Sequence, residues 1–236
     1  MAAAPTAYRM LMAAGTPEGL DLRLKNACSA GEPLNPEVIR WLKESLGCRV
    51  LDHYGQTEIG MVACNHHALQ HLVIEGSMGL SMPGFRIVAL DDEGREVGPG
   101  QTGQLALDRP ASALYWFQGY LNQDTTSRYS GRYYLTGDWA EVGDGGHFTF
   151  VGRNDDIITT AGYRVGPFDV ESTLIEHAAV AESAVVGLPD PERGQKVAAF
   201  VVLQAGHAAS DGLADELRLF VRTRLSAHAY PRHIQF

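Results

Sequence analysis

Strand and helix signals alternate through the first third of the chain, and that alternation restricts the fold more than any other feature. Pro5 to Ala14 reads as a helix, and Leu22 to Ala27 as a strand entering the polar loop Ser29-Ala30-Gly31-Glu32-Pro33. Pro36 stands where a first helical turn accepts proline; Val38, Ile39, Leu42 and Leu46 follow at helical spacing, and Gly47 stops the helix. Arg49 to His53 reads as a short strand running into Tyr54-Gly55-Gln56-Thr57-Glu58. Helices placed between strands build a parallel α/β layer. Ligands of such layers bind beyond the carboxyl ends of the strands, where both polar loops lie.

The pattern then changes. Phe85 to Leu90 predicts a strand, Asp91-Asp92-Glu93-Gly94 a hairpin turn, and Arg95 to Val97 its return. Gln104 to Leu107, Tyr133 to Thr136, Trp139 to Val142 and His147 to Val151 extend an antiparallel β section, while Gly60 to Gly79 reads as loop. Beyond Gly152-Arg153-Asn154-Asp155-Asp156 the signals mix again. Asp156 to Thr160 is a strand pattern and Phe168 to Ile175 a helix; Ala184 to Leu188 and Val197 to Leu203 are strands. Leu213 to Leu225 is an amphipathic helix, and Tyr230-Pro231 opens a last short strand. The expected organisation is an α/β plus antiparallel portion over 1–154 and a small α+β domain over 155–236.

At about 150 residues per domain, 236 residues allow one or two domains. With 28 acidic against 19 basic side chains and a net charge of −9, the chain is a poor match for nucleic-acid backbones or anionic membranes. Its longest apolar run, Val197 to Leu203, is too short for a bilayer span of about 20 residues. The N-terminal segment lacks the basic start of a signal peptide and reads as a helix. Three cysteines, Cys28, Cys48 and Cys64, form no C-x-x-C pair, which fits a reduced cytoplasmic protein.

The polar loops carry the chemistry. Gly55-Gln56-Thr57-Glu58 offers a glycine for close backbone approach, amide and hydroxyl donors for phosphate oxygens, and a carboxylate for the hard cation Mg²⁺. Asp138, ending a strand in Thr136-Gly137-Asp138, suits the two hydroxyls of a ribose, and Arg153 suits the same ribose or a phosphate. Each alone is more often an ordinary surface turn. Cys64, His66, His67 and His71 cluster locally without the spacing of a standard zinc site. His53 is read as a partly buried loop histidine rather than a base.

Taken in order, SAGEPL (Ser29–Leu34), YGQTE (Tyr54–Glu58), Gly103-Gln104-Leu105, Gly119-Tyr120, YYLTGDWA (Tyr133–Ala140) and GRNDDIITTAGYRVGPFDVE (Gly152–Glu171) resemble the adenylate-forming superfamily of acyl-CoA synthetases, peptide-synthetase adenylation domains and luciferases. The run Ala161-Gly162-Tyr163-Arg164-Val165-Gly166-Pro167, with Pro189 to Gly194, is similar to the acetyl- and medium-chain acyl-CoA synthetase branch. The resemblance implies a large nucleotide- and acyl-binding domain followed by a small mobile one. It also implies activation of a carboxylic acid by ATP and Mg²⁺, then transfer to CoA. On this chain it would set Gly31, Glu32 and Pro33 along the adenine, Tyr54 stacked near it, and Gly55, Gln56 and Thr57 at the nucleotide. Thr57 and Glu58 would be catalytic, Glu58 holding Mg²⁺. Asp138 and Arg153 would take the ribose and Arg164 a phosphate; Asp155 would be the hinge; Gly162, Tyr163 and Arg193 would meet CoA.

Two departures qualify the resemblance. The superfamily has an upstream Ser/Thr/Gly-rich loop ending in lysine and a C-terminal P-K-x-x-x-G-K run, but the three lysines here, Lys25 and Lys196 in strands and Lys43 in a helix, belong to neither. Ala229 also stands where related synthetases often carry lysine. The expectation is an internal slice of a longer synthetase or a degenerate relative, which alone forms no acyl-CoA and self-associates through apolar surface near its first helix. An aryl- or amino-acid-activating adenylation domain and a non-catalytic nucleotide-binding remnant remain as alternatives. No nucleic-acid partner is expected.

Overall fold

A computed structural model describes residues 1–15, 23–68 and 70–236. Three parallel strands start the first unit (Met1–Phe150): β1 (Ala2–Ala3), β2 (Ala27–Ser29) and β3 (Val50–Gln56), with helices α1 (Pro5–Ala14) and α2 (Pro36–Leu46) between them. Helix α2 has every local signal. The Asn35 side chain accepts from the Glu37 amide at 2.9 Å, Pro36 opens the first turn, and Gly47 closes the helix at φ 61°. Such a cap contributes about 1 kcal/mol. Its Val38, Ile39 and Leu42 pack with Tyr8, Ala27, Cys48 and Val50 into one core. Helix α1 leaves Met10 and Leu11 69% and 41% exposed.

From β3 the sheet continues antiparallel through β4 (Gly60–Cys64), β5 (Ser77–Ser81), β6 (Ile87–Leu90), β7 (Thr102–Asp108), the two-residue β8 (Tyr129–Ser130), β9 (Tyr133–Val142) and β10 (Phe148–Arg153). The spatial order is β1-β2-β3-β4-β5-β10-β9-β7-β6, with β8 on β9. Tyr134, Leu105, Leu107, Val62 and Ala63 are fully buried between these strands.

Several expectations need correction. The region 60–79 is not a loop, since Val62, Ala63 and Met78 are core residues of β4 and β5. Lys25 precedes β2 rather than lying in a strand, because the strand begins only where Ala27 turns under the helices, at 1% exposure. Leu22 lies outside the described residues. Arg95 to Val97 is no full strand: a single bridge, Leu90 to Glu96, answers β6, whose partner is β7. Strand β3 runs on past His53 through Tyr54, Gly55 and Gln56, which pair with β4, so the expected polar loop is reduced to the turn at residues 57–59.

The second unit, Val151–Phe236, packs its own core. Its strands are β11 (Ile158–Thr160), β12 (Tyr163–Val165), β13 (Val180–Asp190), β14 (Gly194–Leu203) and β15 (His233–Gln235). Strands β13 and β14 form a long hairpin, and β15 joins β14 in parallel. Helices α3 (Pro167–Ile175) and α4 (Asp211–Arg224) bury Val170, Leu174, Leu217 and Val221 against it. Ser210 Oγ caps α4 by accepting from Leu213 N at 3.1 Å. No helix among the described residues is long and apolar enough to cross a membrane.

Candidate nucleotide site

Two irregularities in the first unit bring distant residues together. Gln104 faces Trp139 and Ala106 faces Leu135, so Thr136, Gly137 and Asp138 on β9 oppose the single residue Leu105. Thr136 fixes this bulge: its hydroxyl donates to Leu105 O at 2.7 Å and accepts from Asp138 N at 3.1 Å, while Gly137 adopts φ 81°. A bulge of this kind re-aims a side chain, and here it aims Asp138. The Tyr54 hydroxyl donates to Asp138 Oδ2 at 2.5 Å, and the Gln56 amide donates to the same oxygen and to Thr136 O, each at 2.9 Å. Residues more than 80 positions apart thereby share one carboxylate, which is 5% exposed.

The second irregularity is a register shift between Tyr54 and Gly55 against β4. A Cβ on Gly55 would lie 2.2 Å from Gly60 O, so only glycine admits this approach. The following turn places Thr57 on the surface and Glu58 half-buried, with Ile59 N bonded to Gln56 O at 3.2 Å. Burial and the Asp138 charge hold the Tyr54 hydroxyl far above its usual pKa. Burial first, then the Glu58 charge, pushes the Tyr134 phenol up to about 12. Both hydroxyls are therefore neutral at physiological pH; Tyr54 donates to Asp138, while the buried Tyr134 hydroxyl has no partner among the described residues.

Sequence reasoning passed over Asp52. It alternates onto the Tyr54 face of β3, is 8% exposed, and its Oδ1 has no partner among the described residues. Asn65 Oδ1 and Ser77 Oγ are likewise buried and unpartnered. All three residues line a cavity of about 430 Å³ whose wall also includes Ile39, Lys43 and Arg49. Burial raises the Asp52 carboxyl to about 7 against the lowering effect of the His53 amide. An aspartate directly after the apolar pair Val50-Leu51 was the signal available in the sequence.

The Ser29–Leu34 loop differs from the carried-over assignment in one respect. Gly31 has φ 94° and Pro33 is half-buried, but the Glu32 carboxylate turns away to α1, where it accepts from Thr6 N at 3.1 Å and Thr6 Oγ1 at 2.6 Å.

The rings of the histidine cluster bond to backbone atoms rather than to one another. His66 N donates to His71 Nε2 at 2.9 Å, the His67 ring lies 3.2 Å from Ala27 O, and Cys64 Sγ packs on Met82 Sδ. Among the described residues no group of three or more His, Cys, Asp or Glu side chains could hold a metal. Burial, with His67 adding to it, keeps the His53 pKa below its usual range.

In the second unit the turn after β10 is closed by Asp156 N and Ile157 N bonding to Arg153 O, and Arg153 lies 3.6 Å from the exposed Asp155 carboxylate. Ala161 and Gly162, both at positive φ, make the two-residue turn between β11 and β12. Ala161 N donates to Arg193 O at 2.9 Å, so Gly162, Tyr163 and Arg193 are brought into one neighbourhood. Tyr163 stacks on His228 at 3.5 Å; Arg164 is exposed; Arg193 pairs with Glu192 at 3.4 Å. Ala229, at 5% exposure, is a core residue.

A parallel layer continued by antiparallel strands, a buried aspartate at a β-bulge and a separate small α+β unit form the fold class of the adenylate-forming enzymes. The profile of the AMP-binding enzyme family matches residues 1–121 and that of the AMP-binding enzyme C-terminal domain residues 169–236. The chain belongs to the AMP-binding enzyme family.

It is 43% identical over 238 residues to acetyl-coenzyme A synthetase of Bacillus subtilis, covering 99% of this chain and 41% of that protein. A solved acyl-CoA synthetase of Brucella canis is 55% identical at TM-score 0.66, covering all of this chain and 44% of that one. A benzoate CoA ligase of Burkholderia xenovorans is 34% identical at TM-score 0.83, covering all of this chain and 46% of that one. The chain thus spans about two fifths of the length of the curated relatives it matches.

Proposed function

We propose that this chain is part of an AMP-forming acyl-CoA synthetase. In that reaction a carboxylate oxygen attacks the α-phosphorus of ATP and pyrophosphate leaves. The CoA thiol then attacks the acyl carbon, its proton is lost, and AMP departs. The observation that carries the reading is the convergence of Tyr54 and Gln56 on the buried Asp138 at the β9 bulge. Two neutral donors hold that carboxylate rigid, and in this reading it accepts both ribose hydroxyls. Tyr54 presents its ring to the base, flanked by the backbone of Gly31 and Pro33. The unpartnered Asp52 Oδ1 is an acceptor suited to an exocyclic amino group such as that of adenine.

Thr57 and the neighbouring amides serve the phosphates. Glu58 fits magnesium, which takes one or two carboxylates and completes its shell with phosphate oxygens and water. The metal would offset charge on the phosphoryl group. Arg153 and Arg164 meet the nucleotide, Asp155 is the pivot, and Gly162, Tyr163 and Arg193 meet CoA. The names of the relatives support a CoA ligase over an amino-acid-activating domain. Three free cysteines are consistent with a reducing, cytoplasmic setting.

The test is calorimetry with AMP beside a thioester assay. The 236-residue chain should bind AMP yet form no acyl-CoA, because its lysines, Lys25, Lys43 and Lys196, stand outside both lysine motifs. Asp138→Asn should weaken AMP by about 10- to 100-fold, the value of hydrogen bonds to a charged acceptor. Equal affinity in the variant would sink the ribose assignment.

A further inference from the structure

Helix α1 begins without a cap of its own. Ala4 at its N-cap has no side-chain acceptor, Pro5 has no N–H, and its first turn holds no acidic residue. A helix start with open N–H groups and a positive dipole end favours an anionic acceptor. That acceptor comes from 26 residues away: Glu32 Oε2 takes the Thr6 amide at 3.1 Å and the Thr6 hydroxyl at 2.6 Å. Arg9 closes the cluster, its Nη2 lying 2.7 Å from Thr6 Oγ1 and 3.3 Å from Glu32 Oε2. The same helix grips the strand that enters the loop, because the fully buried Tyr8 donates its hydroxyl to Cys28 O at 2.9 Å. Between these two attachments lies Gly31, at φ 94°.

We propose that Glu32 is a positioning residue: its carboxylate caps α1 from outside and so fixes the Gly31–Pro33 backbone that flanks the nucleotide base. The inference rests on the nucleotide reading above and replaces direct contact between the Glu32 side chain and adenine. Arg9 and Glu32 are 45% and 41% exposed, so their ion pair contributes little by itself. The hydrogen bonds to Thr6, at a helix terminus, carry the effect. Glutamine keeps an acceptor oxygen at that position and alanine removes it.

Titration of AMP and of ribose 5-phosphate, followed by NMR, separates positioning from general stability. Glu32→Ala should weaken AMP about 5- to 10-fold, leave ribose 5-phosphate unchanged, and lower the backbone order parameters at Gly31 and Leu34. Glu32→Gln should restore most of the AMP affinity. Asp138→Asn should weaken both ligands. The proposal is overturned if Glu32→Ala binds AMP like the wild type, or if it loses both ligands equally with a lowered melting temperature. If the wild type binds no AMP, the nucleotide reading fails instead. The clamp is then judged on backbone motion alone: lowered order parameters at Gly31 and Leu34 in Glu32→Ala support it, and unchanged values overturn it.

Discussion

Asp108→Ala lowers the unfolding free energy of the first unit by about 3 kcal/mol, read from urea denaturation at neutral pH. Asp108 is 1% exposed and receives three hydrogen bonds of 2.8 Å, from Arg86 Nη1, Arg132 Nε and Arg132 Nη2. Removing one member of a buried pair costs about 3–5 kcal/mol because the partner charge is stranded. The lower end applies because Arg86 and Arg132 are 43% and 52% exposed and can turn to water, and Arg86 keeps Glu96 at 2.6 Å. Glu96→Gln should cost well under about 1 kcal/mol, since that pair faces solvent.

The pH signature follows from the same contacts. Burial alone would raise Asp108, but its bonds to Arg132 and Arg86 outweigh this and hold it below the usual range. A depressed carboxylate adds stability above its unfolded pKa and loses it as pH falls through the folded one. The wild type should therefore lose this increment on acidification below about pH 4, the unfolded aspartate value. Asp108→Ala should lack that part of the acid limb, and matching acid limbs would exclude the network as its source.

How much of this was readable in advance depended on distance along the chain. Helix α2 was legible because Asn35, Pro36 and Gly47 act within a few residues of one another. The Gly31 loop was legible because strand-end loops follow from the helix–strand alternation, whereas Tyr54, Gly55 and Gln56, expected in a loop, extend β3 against β4. The pairing of Tyr54 with Asp138 was not legible, since it depends on a bulge whose partner, Leu105, lies in a third strand. The bond between Glu32 and Thr6 was hidden for the same reason, because the two residues are 26 positions apart and Thr6 lies on α1. Strands β4 and β5 were hidden by their shortness and by the glycines and histidines around them. Both β-bulges at the site conflict with simple strand alternation, and local rules tend to fail where residues must converge on a ligand.

Asp52→Asn should stabilise the protein increasingly as pH rises from about 4 to about 7, by up to about 4 kcal/mol, and then by a constant amount. Burial lifts the Asp52 carboxyl to about 7. Through that window the unfolded chain gives up the Asp52 proton while the folded chain keeps it, so rising pH favours unfolding until the folded pKa is passed. Asparagine has no charge to bury, keeps the shape, and removes the dependence. Superimposable stability–pH curves for the two proteins would refute the argument. The same residue links stability to ligand: a donor reaching the unpartnered Oδ1 stabilises the ionised form, so AMP should bind the wild type more tightly as pH rises through about 7. Asp52→Asn should bind with no such rise, because its neutral amide oxygen offers the same acceptor at every pH. A folded-state cost at Asp52 that a nucleotide relieves would explain an aspartate at a position where packing alone favours an apolar side chain.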